Sequence, residues 1–510
     1  MKARRIRITS LLLSVVLILS IMAGCGNASG NDETVSSFGT DNTPSEKATE
    51  KVTEKVTEKA TDEIVKQEKT TEKITTEEVS TEEVTTEEVT TEEVTTEEAT
   101  TQEITTEEIT TEEVTTEEET LLSYEIHKSN LVEIMNNMFD SNTMLNETVM
   151  FIDYGDVKPL MYYADEIISV TSYDGLMTYT EGVDYELRDG KIVLLENSNI
   201  PCITSEVYYN NTESEYLNIE HDGKICNVYW GEGRTMTQWQ VNVTYTHSDT
   251  WNGYKQESYI KVYEDFLGKL CRGEDVTVFF YGDSIARGAN SSSYVDHAPY
   301  QPDYTKLFVY ALADLFDYKV KHVHTGLEKT FSEDFPTYNM GERRGTITYV
   351  NSSVGGKECA WALSNVEAYV IDIADFYGCD LFVTNFGMNN GTTSAKTFQS
   401  YTKQMINKVI EAYPDVSVMI VSSMVSNPYD VDSGKNQILF EEPLLATAQS
   451  YTRAGTPCAL VCMASMSDSI LDYKSFNDYS ANNVNHPNDF FMRVYAQTLL
   501  QALIGYDNMK

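Results

Sequence analysis

Ser284 stands in the run Tyr281-Gly282-Asp283-Ser284-Ile285, directly after the apolar stretch 276–281. Two later apolar stretches end in similar polar, glycine-bearing turns, Asn351-Ser352-Ser353-Val354-Gly355-Gly356 and Asn385-Phe386-Gly387-Met388-Asn389-Asn390. A fourth piece, Asn483-Val484-Asn485-His486-Pro487, precedes the last helical stretch. Acyl transfer needs a nucleophilic hydroxyl, a base that titrates near neutrality and donors for the oxyanion. Ser284 offers the hydroxyl, and His486 is the expected base, because an imidazole changes charge near working pH. The backbone N–H groups of Ser284 and Gly355 and the side-chain amide of Asn389 are the expected oxyanion donors. Gly355 suits a backbone that must come close to substrate. Each turn alone is ordinary; their recurrence after successive strands is what gives the set weight.

The elements that would position these residues follow from periodicity. The runs 276–281, 346–350, 381–383, 416–421 and 459–461 read as buried strands separated by helical segments. Tyr304, Leu307, Phe308, Ala311, Leu312, Leu315 and Phe316 recur at the three-four spacing of an amphipathic helix, and a final helix is expected over 489–504. Strands alternating with helices predict an α/β domain with a mostly parallel sheet. In such sheets sites form beyond the carboxyl ends of the strands, where the first three pieces fall.

Upstream, residues 123–255 differ in character. The pairs Asp174-Gly175, Asp189-Gly190 and Asp222-Gly223 sit between β-rich runs, a strong hairpin signal. In the run 239–246 apolar residues take alternate places, as a half-buried strand requires. An all-β sandwich domain is expected here. Trp230 and Trp251 read first as core or rim packing and second as sugar platforms. Cys202 and Cys226 read as free thiols before a disulfide, since pairing cannot be deduced from sequence. The pair His322-x-His324 lacks a third ligand nearby and reads as a surface pair, so no metal or other cofactor is expected.

The chain has 510 residues and a formal charge of −43. So acidic a chain, without a basic stripe, argues against nucleic acid as a partner. Residues 1–25 combine basic groups, a short apolar stretch and the ending Ile21-Met22-Ala23-Gly24-Cys25. They read as a secretory leader, similar to a bacterial lipobox with Cys25 as the lipidated residue. Residues 26–122 are built largely of Thr-Thr-Glu-Glu-Val-like repeats. A five-residue step makes no apolar seam on a helix, so a disordered, solvated spacer is expected. The expected location is extracellular, held to the membrane by an N-terminal lipid.

Gly282-Asp283-Ser284, Gly355, Gly387-Met388-Asn389-Asn390 and Asn483-Val484-Asn485-His486 together resemble the sequence blocks of the SGNH (GDSL-type) serine hydrolases, over residues 276–504. The resemblance implies a three-layer α/β hydrolase in 256–510, behind the β-domain 123–255. A small β-domain ahead of such a hydrolase is also similar to carbohydrate esterase family 2, implying an acetyl esterase acting on acetylated plant polysaccharides or oligosaccharides. Two positions depart from the family pattern. Asn390 replaces the Asp that often follows the oxyanion Asn, and Asn483 stands where the triad acid is expected. Some family 2 members use a Ser–His dyad, so the expectation is a dyad in which a neutral group, with Asn483 as candidate, orients His486. Tyr294, His297 and Asn390 are candidate substrate contacts. The competing readings are a lipid or aryl esterase, and a catalytically weak surface carbohydrate-binding protein.

Overall fold

The computed structural model describes residues 135, 137–210, 217–324, 338, 339, 341–431 and 436–505. The expected leader with Cys25 and the repeat spacer 26–122 lie outside the described residues.

The front segment is β-rich, as its alternation predicts. Strands β1 (Thr143–Met150), β2 (Ala164–Ser172) and β3 (Gln240–His247) form an antiparallel sheet with β3 in the middle, and the short strand Thr178–Tyr179 closes the β2 edge. Val241, Val243 and Tyr245 point into the core from β3. Hairpins form at all three Asp-Gly pairs: Asp174-Gly175 lies between β2 and its antiparallel partner Thr178–Tyr179, and the other two pairs make two-residue turns. Asp189 and Gly190 (φ 50° and 70°) join Tyr185–Arg188 to Lys191–Leu194, and Asp222 and Gly223 (φ 52° and 71°) join Asn218–His221 to Lys224–Asn227. Two consecutive positive φ angles are what a type I′ turn demands. Cys202 and Cys226 are both free thiols.

The rest is an α/β layer structure. Strands β4 (Val276–Gly282), β5 (Tyr318–His324), β6 (Gly345–Asn351), β7 (Leu381–Asn385), β8 (Ser417–Val421) and β9 (Cys458–Val461) form one parallel sheet in the order β5-β6-β4-β7-β8-β9. Side chains alternate across it, so both faces are buried. Val278 and Phe280 pack with the helices α1 (Tyr304–Phe316) and α2 (Asp489–Ile504), while Phe279 and Tyr281 pack with Phe398, Met405 and Leu444 on the other face. β5 was not among the expected strands. Its sequence Tyr-Lys-Val-Lys-His-Val-His mixes polar with apolar residues because β5 is the last strand of the sheet, where the Tyr338 carbonyl accepts the Val320 N–H at 3.0 Å on its outer side.

One hydrophobic core runs across the expected divide at residue 256. Val241, Val243 and Tyr245 belong to the same buried cluster as Phe490, Leu499 and Leu503 of α2. A buried ion pair also crosses the divide: Lys474 meets Glu147 of β1, and neither side chain is accessible to solvent. Glu147 further accepts from the Tyr245 hydroxyl at 2.6 Å and the Met161 N–H at 2.9 Å. Removing one partner of a buried pair leaves the other charge uncompensated, so Glu147→Ala is expected to cost about 3–5 kcal/mol. Urea unfolding of the full chain checks this, and a loss below about 1 kcal/mol, the worth of an exposed pair, would contradict it.

Candidate active site

β4 is the strand at which the chain switches sides of the sheet, with β6 on one flank and β7 on the other. Its end delivers Gly282-Asp283-Ser284 into a tight turn. A Cβ at Gly282 would lie 2.4 Å from the Asn385 carbonyl oxygen and 2.5 Å from the Ala286 Cβ, so only glycine fits. The Asp283 N–H donates to the Asn385 carbonyl (3.1 Å), and Asn385 in turn accepts from the Tyr304 hydroxyl and donates to the Val421 carbonyl. These bonds lock the ends of β4, β7 and β8 together beneath Ser284. Asp283 is fully buried and accepts from the Ile285 N–H. Burial pushes its carboxyl up to about 7, against the lowering pull of the Ile285 N–H, the His486 charge and the Met388 N–H. Ser284 itself is 8% exposed.

His486 reaches the same point from the loop before α2. Its Nε2 lies 2.9 Å from the Ser284 Oγ. The loop is shaped by Asn482, whose Oδ1 accepts the N–H groups of Val484, Asn485 and His486 at 2.9–3.0 Å. The His486 carbonyl accepts from the Ala481 N–H at 2.8 Å, and Asn488 caps α2 by accepting the Phe491 N–H. The ring is thereby held between a hydrogen-bonded turn and a helix start, 9% exposed.

Three side chains surround the other ring nitrogen. Asn290 Oδ1 is 2.9 Å from His486 Nδ1, the Glu232 Oε2 is 3.2 Å away, and Asn482 Nδ2 is 3.1 Å away. Asn482 also donates to the Glu232 Oε1 at 3.0 Å. Glu232 sits in a turn of the front segment that is tied to this loop by the Gly231 N–H, which donates to the Asn482 carbonyl. Burial works against its charge, but the hydrogen bond and charge of His486, with the amides of Asn482 and Asn290, hold its carboxyl below the usual range.

This corrects the expected orienter. Asn483 does not touch His486. Its left-handed backbone (φ 64°) turns the side chain away, and its amide donates to the Tyr208 hydroxyl and the Tyr229 carbonyl, both at 2.9 Å. The expectation of purely neutral neighbours is corrected too, since a carboxylate stands within hydrogen-bonding reach. Neither Glu232 nor Asn290 was singled out in the sequence. Glu232 lies 254 residues before His486, where no motif spacing points to it.

The remaining expected residues divide. Gly355 lies against the nucleophile: a Cβ there would stand 3.6 Å from the Ser284 Cβ. Asn389 donates to the Lys357 carbonyl at 3.2 Å, which uses one of its two amide protons and fixes the side chain beside the Gly355 turn. Asn390, an expected substrate contact, faces inward. It is buried, accepts from the Cys359 N–H (3.2 Å) and donates to the Thr393 hydroxyl (3.1 Å), bracing the turn from within. Tyr294 is 50% exposed in the loop after the nucleophile, and Tyr300, in the same loop, is 58% exposed. His297, half-buried there, bonds the Ala298 carbonyl through Nδ1 at 2.7 Å. The loop is anchored by Asp489, which accepts the Ser292 N–H at 2.8 Å and receives the Gln301 amide on its carbonyl at 2.7 Å. His322 hydrogen-bonds Tyr310 at 3.0 Å. Among the described residues no group of three or more His, Cys, Asp and Glu side chains is placed to hold a metal ion. Among them, too, no helix is long and apolar enough to cross a membrane.

No protein-family model and no curated protein matches the sequence. Solved structures similar to the chain include esterases. A two-domain esterase active on acetylated mannans, crystallised with mannopentaose, is 15% identical over 48% of this chain and 53% of its own, with a TM-score of 0.34. The match thus spans about half of that esterase. An acetyl xylan esterase is 15% identical over 45% of this chain and 100% of its own (TM-score 0.31). A lipolytic protein of the G-D-S-L family from Veillonella parvula is 16% identical over 44% and 97% (TM-score 0.29). At these scores the function rests on the site's own geometry.

Proposed function

We propose that the chain is a serine esterase that removes short acyl groups, acetyl foremost, from carbohydrate. The observation that carries the esterase reading is the 2.9 Å contact between the Ser284 Oγ and His486 Nε2 at the end of β4. That distance suits direct proton transfer. In the proposed reaction the Ser284 Oγ attacks the ester carbonyl carbon while its proton passes to His486 Nε2. The carbonyl oxygen becomes an oxyanion facing the N–H groups of Ser284 and Gly355 and the free amide proton of Asn389. The imidazolium then returns the proton to the leaving sugar oxygen as the C–O bond breaks. Water attacks the acyl-Ser284, loses its proton to the same nitrogen, and acid is released as Ser284 regains its hydrogen.

Carbohydrate as the leaving group is favoured by the exposed rings of Tyr294 and Tyr300 on the loop that follows the nucleophile, which offer flat amphipathic faces to a sugar. The test is release of acetate from acetylated xylan and acetylated mannan, beside p-nitrophenyl esters of increasing acyl length. The expected result is turnover of the polysaccharides and a kcat/KM that falls from acetate through butyrate to octanoate. Rising kcat/KM with acyl length, with no acetate from either polymer, would replace this reading with that of a lipid esterase.

A further inference from the structure

We propose that Glu232, in the front β-rich segment, is the carboxylate that positions His486 and balances its charge during turnover, so that the front segment is part of the catalytic unit. The proposal rests on the esterase reading above. A serine-histidine pair has two needs at the far ring nitrogen. The Nδ1 must carry the proton, so that Nε2 is free to act as base, and the positive charge that appears on the ring must be offset. His486 Nδ1 has two oxygen neighbours able to accept its proton, Asn290 Oδ1 at 2.9 Å and Glu232 Oε2 at 3.2 Å. Either can select the tautomer. Only Glu232 carries a charge that strengthens its bond as imidazolium forms.

The surroundings are arranged around that carboxylate. Asn482 cannot turn its amide over, because its Oδ1 already accepts three backbone N–H groups. Its NH2 therefore faces the Glu232 Oε1, and the residue that shapes the histidine loop also aims the acid. The Gly231 N–H, bonded to the Asn482 carbonyl, fixes the turn that presents Glu232. Asn290, by contrast, presents a neutral amide oxygen to the ring, whose bond gains less as imidazolium forms. We assign it the ground-state orientation of the ring and Glu232 the charge.

The acid contributed in this way is unusual in its exposure: the Glu232 side chain is 58% accessible. Water and salt screen such a charge, so its removal should cost less than the roughly 10⁴-fold seen when a buried triad acid is neutralised.

The experiment uses the full chain with p-nitrophenyl acetate as probe. Glu232→Gln keeps the volume and an acceptor oxygen while removing the charge, so folding is expected to survive, with thermal melting as the check. The expected result is a kcat lower by about 10- to 100-fold with KM within about twofold, and partial restoration of kcat by Glu232→Asp. Asn290→Ala is expected to cost less than Glu232→Gln. An undiminished kcat in Glu232→Gln would overturn the proposal and leave a dyad held by Asn290. A change confined to KM, or Asp no better than Gln, would also overturn it, because a contact or packing role does not depend on charge. Ser284→Ala in the same series separates the two claims. If Ser284→Ala is inactive and Glu232→Gln is fully active, only the role of Glu232 fails; if Ser284→Ala is active, the esterase reading fails first.

Discussion

Ser284→Ala is expected to lower ester turnover by about 10⁴-fold or more while leaving the fold intact. The substitution removes one oxygen that is hydrogen-bonded to His486, in a turn held by the backbone bonds of Asp283 and the fit of Gly282 against Asn385. Nothing in the core loses volume, so melting temperature and circular dichroism should match the parent. Groups that act as one unit are strongly non-additive. His486→Ala should therefore cost about as much as Ser284→Ala, and the double variant little more than either. Undiminished turnover by a well-folded Ser284→Ala protein would remove the nucleophile assignment. A double variant far slower than both singles would mean that the two residues act on separate steps.

The second large effect is expected at Asn389. Losing one oxyanion donor costs about 10²–10³ in kcat, because the bond matters most when the carbonyl oxygen has become an oxyanion. Asn389 spends one amide proton on the Lys357 carbonyl at 3.2 Å, which holds the side chain while the other proton stays free for substrate. Asn389→Ala should thus lower kcat with KM little changed. A rise in KM with kcat untouched would make Asn389 a ground-state contact. Asn390→Ala tests the contrast. Asn390 braces Cys359 and Thr393 from a buried position, so the change should lower stability, where a substrate contact would lower activity alone.

The meeting of Ser284 with His486 and with the Gly355 turn follows the sequence expectation, because a parallel sheet brings the carboxyl ends of its strands to one edge. In the structure the strands 276–282 and 381–385 are direct neighbours, so the turns that carry Ser284 and Asn389 leave the same edge of the sheet. The hairpins at Asp189-Gly190 and Asp222-Gly223 were legible for a local reason, since their turn type needs those residues. What failed was anything that depended on the direction of a side chain or on a distant partner. Asn483 stands at the spacing where a triad acid is sought, but its positive φ sends the amide to Tyr208 and Tyr229. Its neighbour Asn482 organises the loop instead, which no spacing rule indicates. Glu232 meets His486 only because the core of the front segment continues into that of the α/β layers. The boundary drawn at 256 by composition hid that pairing. β5 escaped because this outermost strand, with two lysines and two histidines in its sequence YKVKHVH, carries a weak apolar signal.

The most direct test of the account is to catch the covalent intermediate. Full-length protein mixed with p-nitrophenyl acetate is quenched in acid on the millisecond scale, digested and mapped by mass spectrometry. The account predicts one acetyl group on the peptide carrying Ser284, forming in step with a burst of p-nitrophenol and absent from the Ser284→Ala protein. Acetylation at another residue that forms and decays at the rate of turnover, or steady hydrolysis by the Ser284→Ala protein, would contradict it.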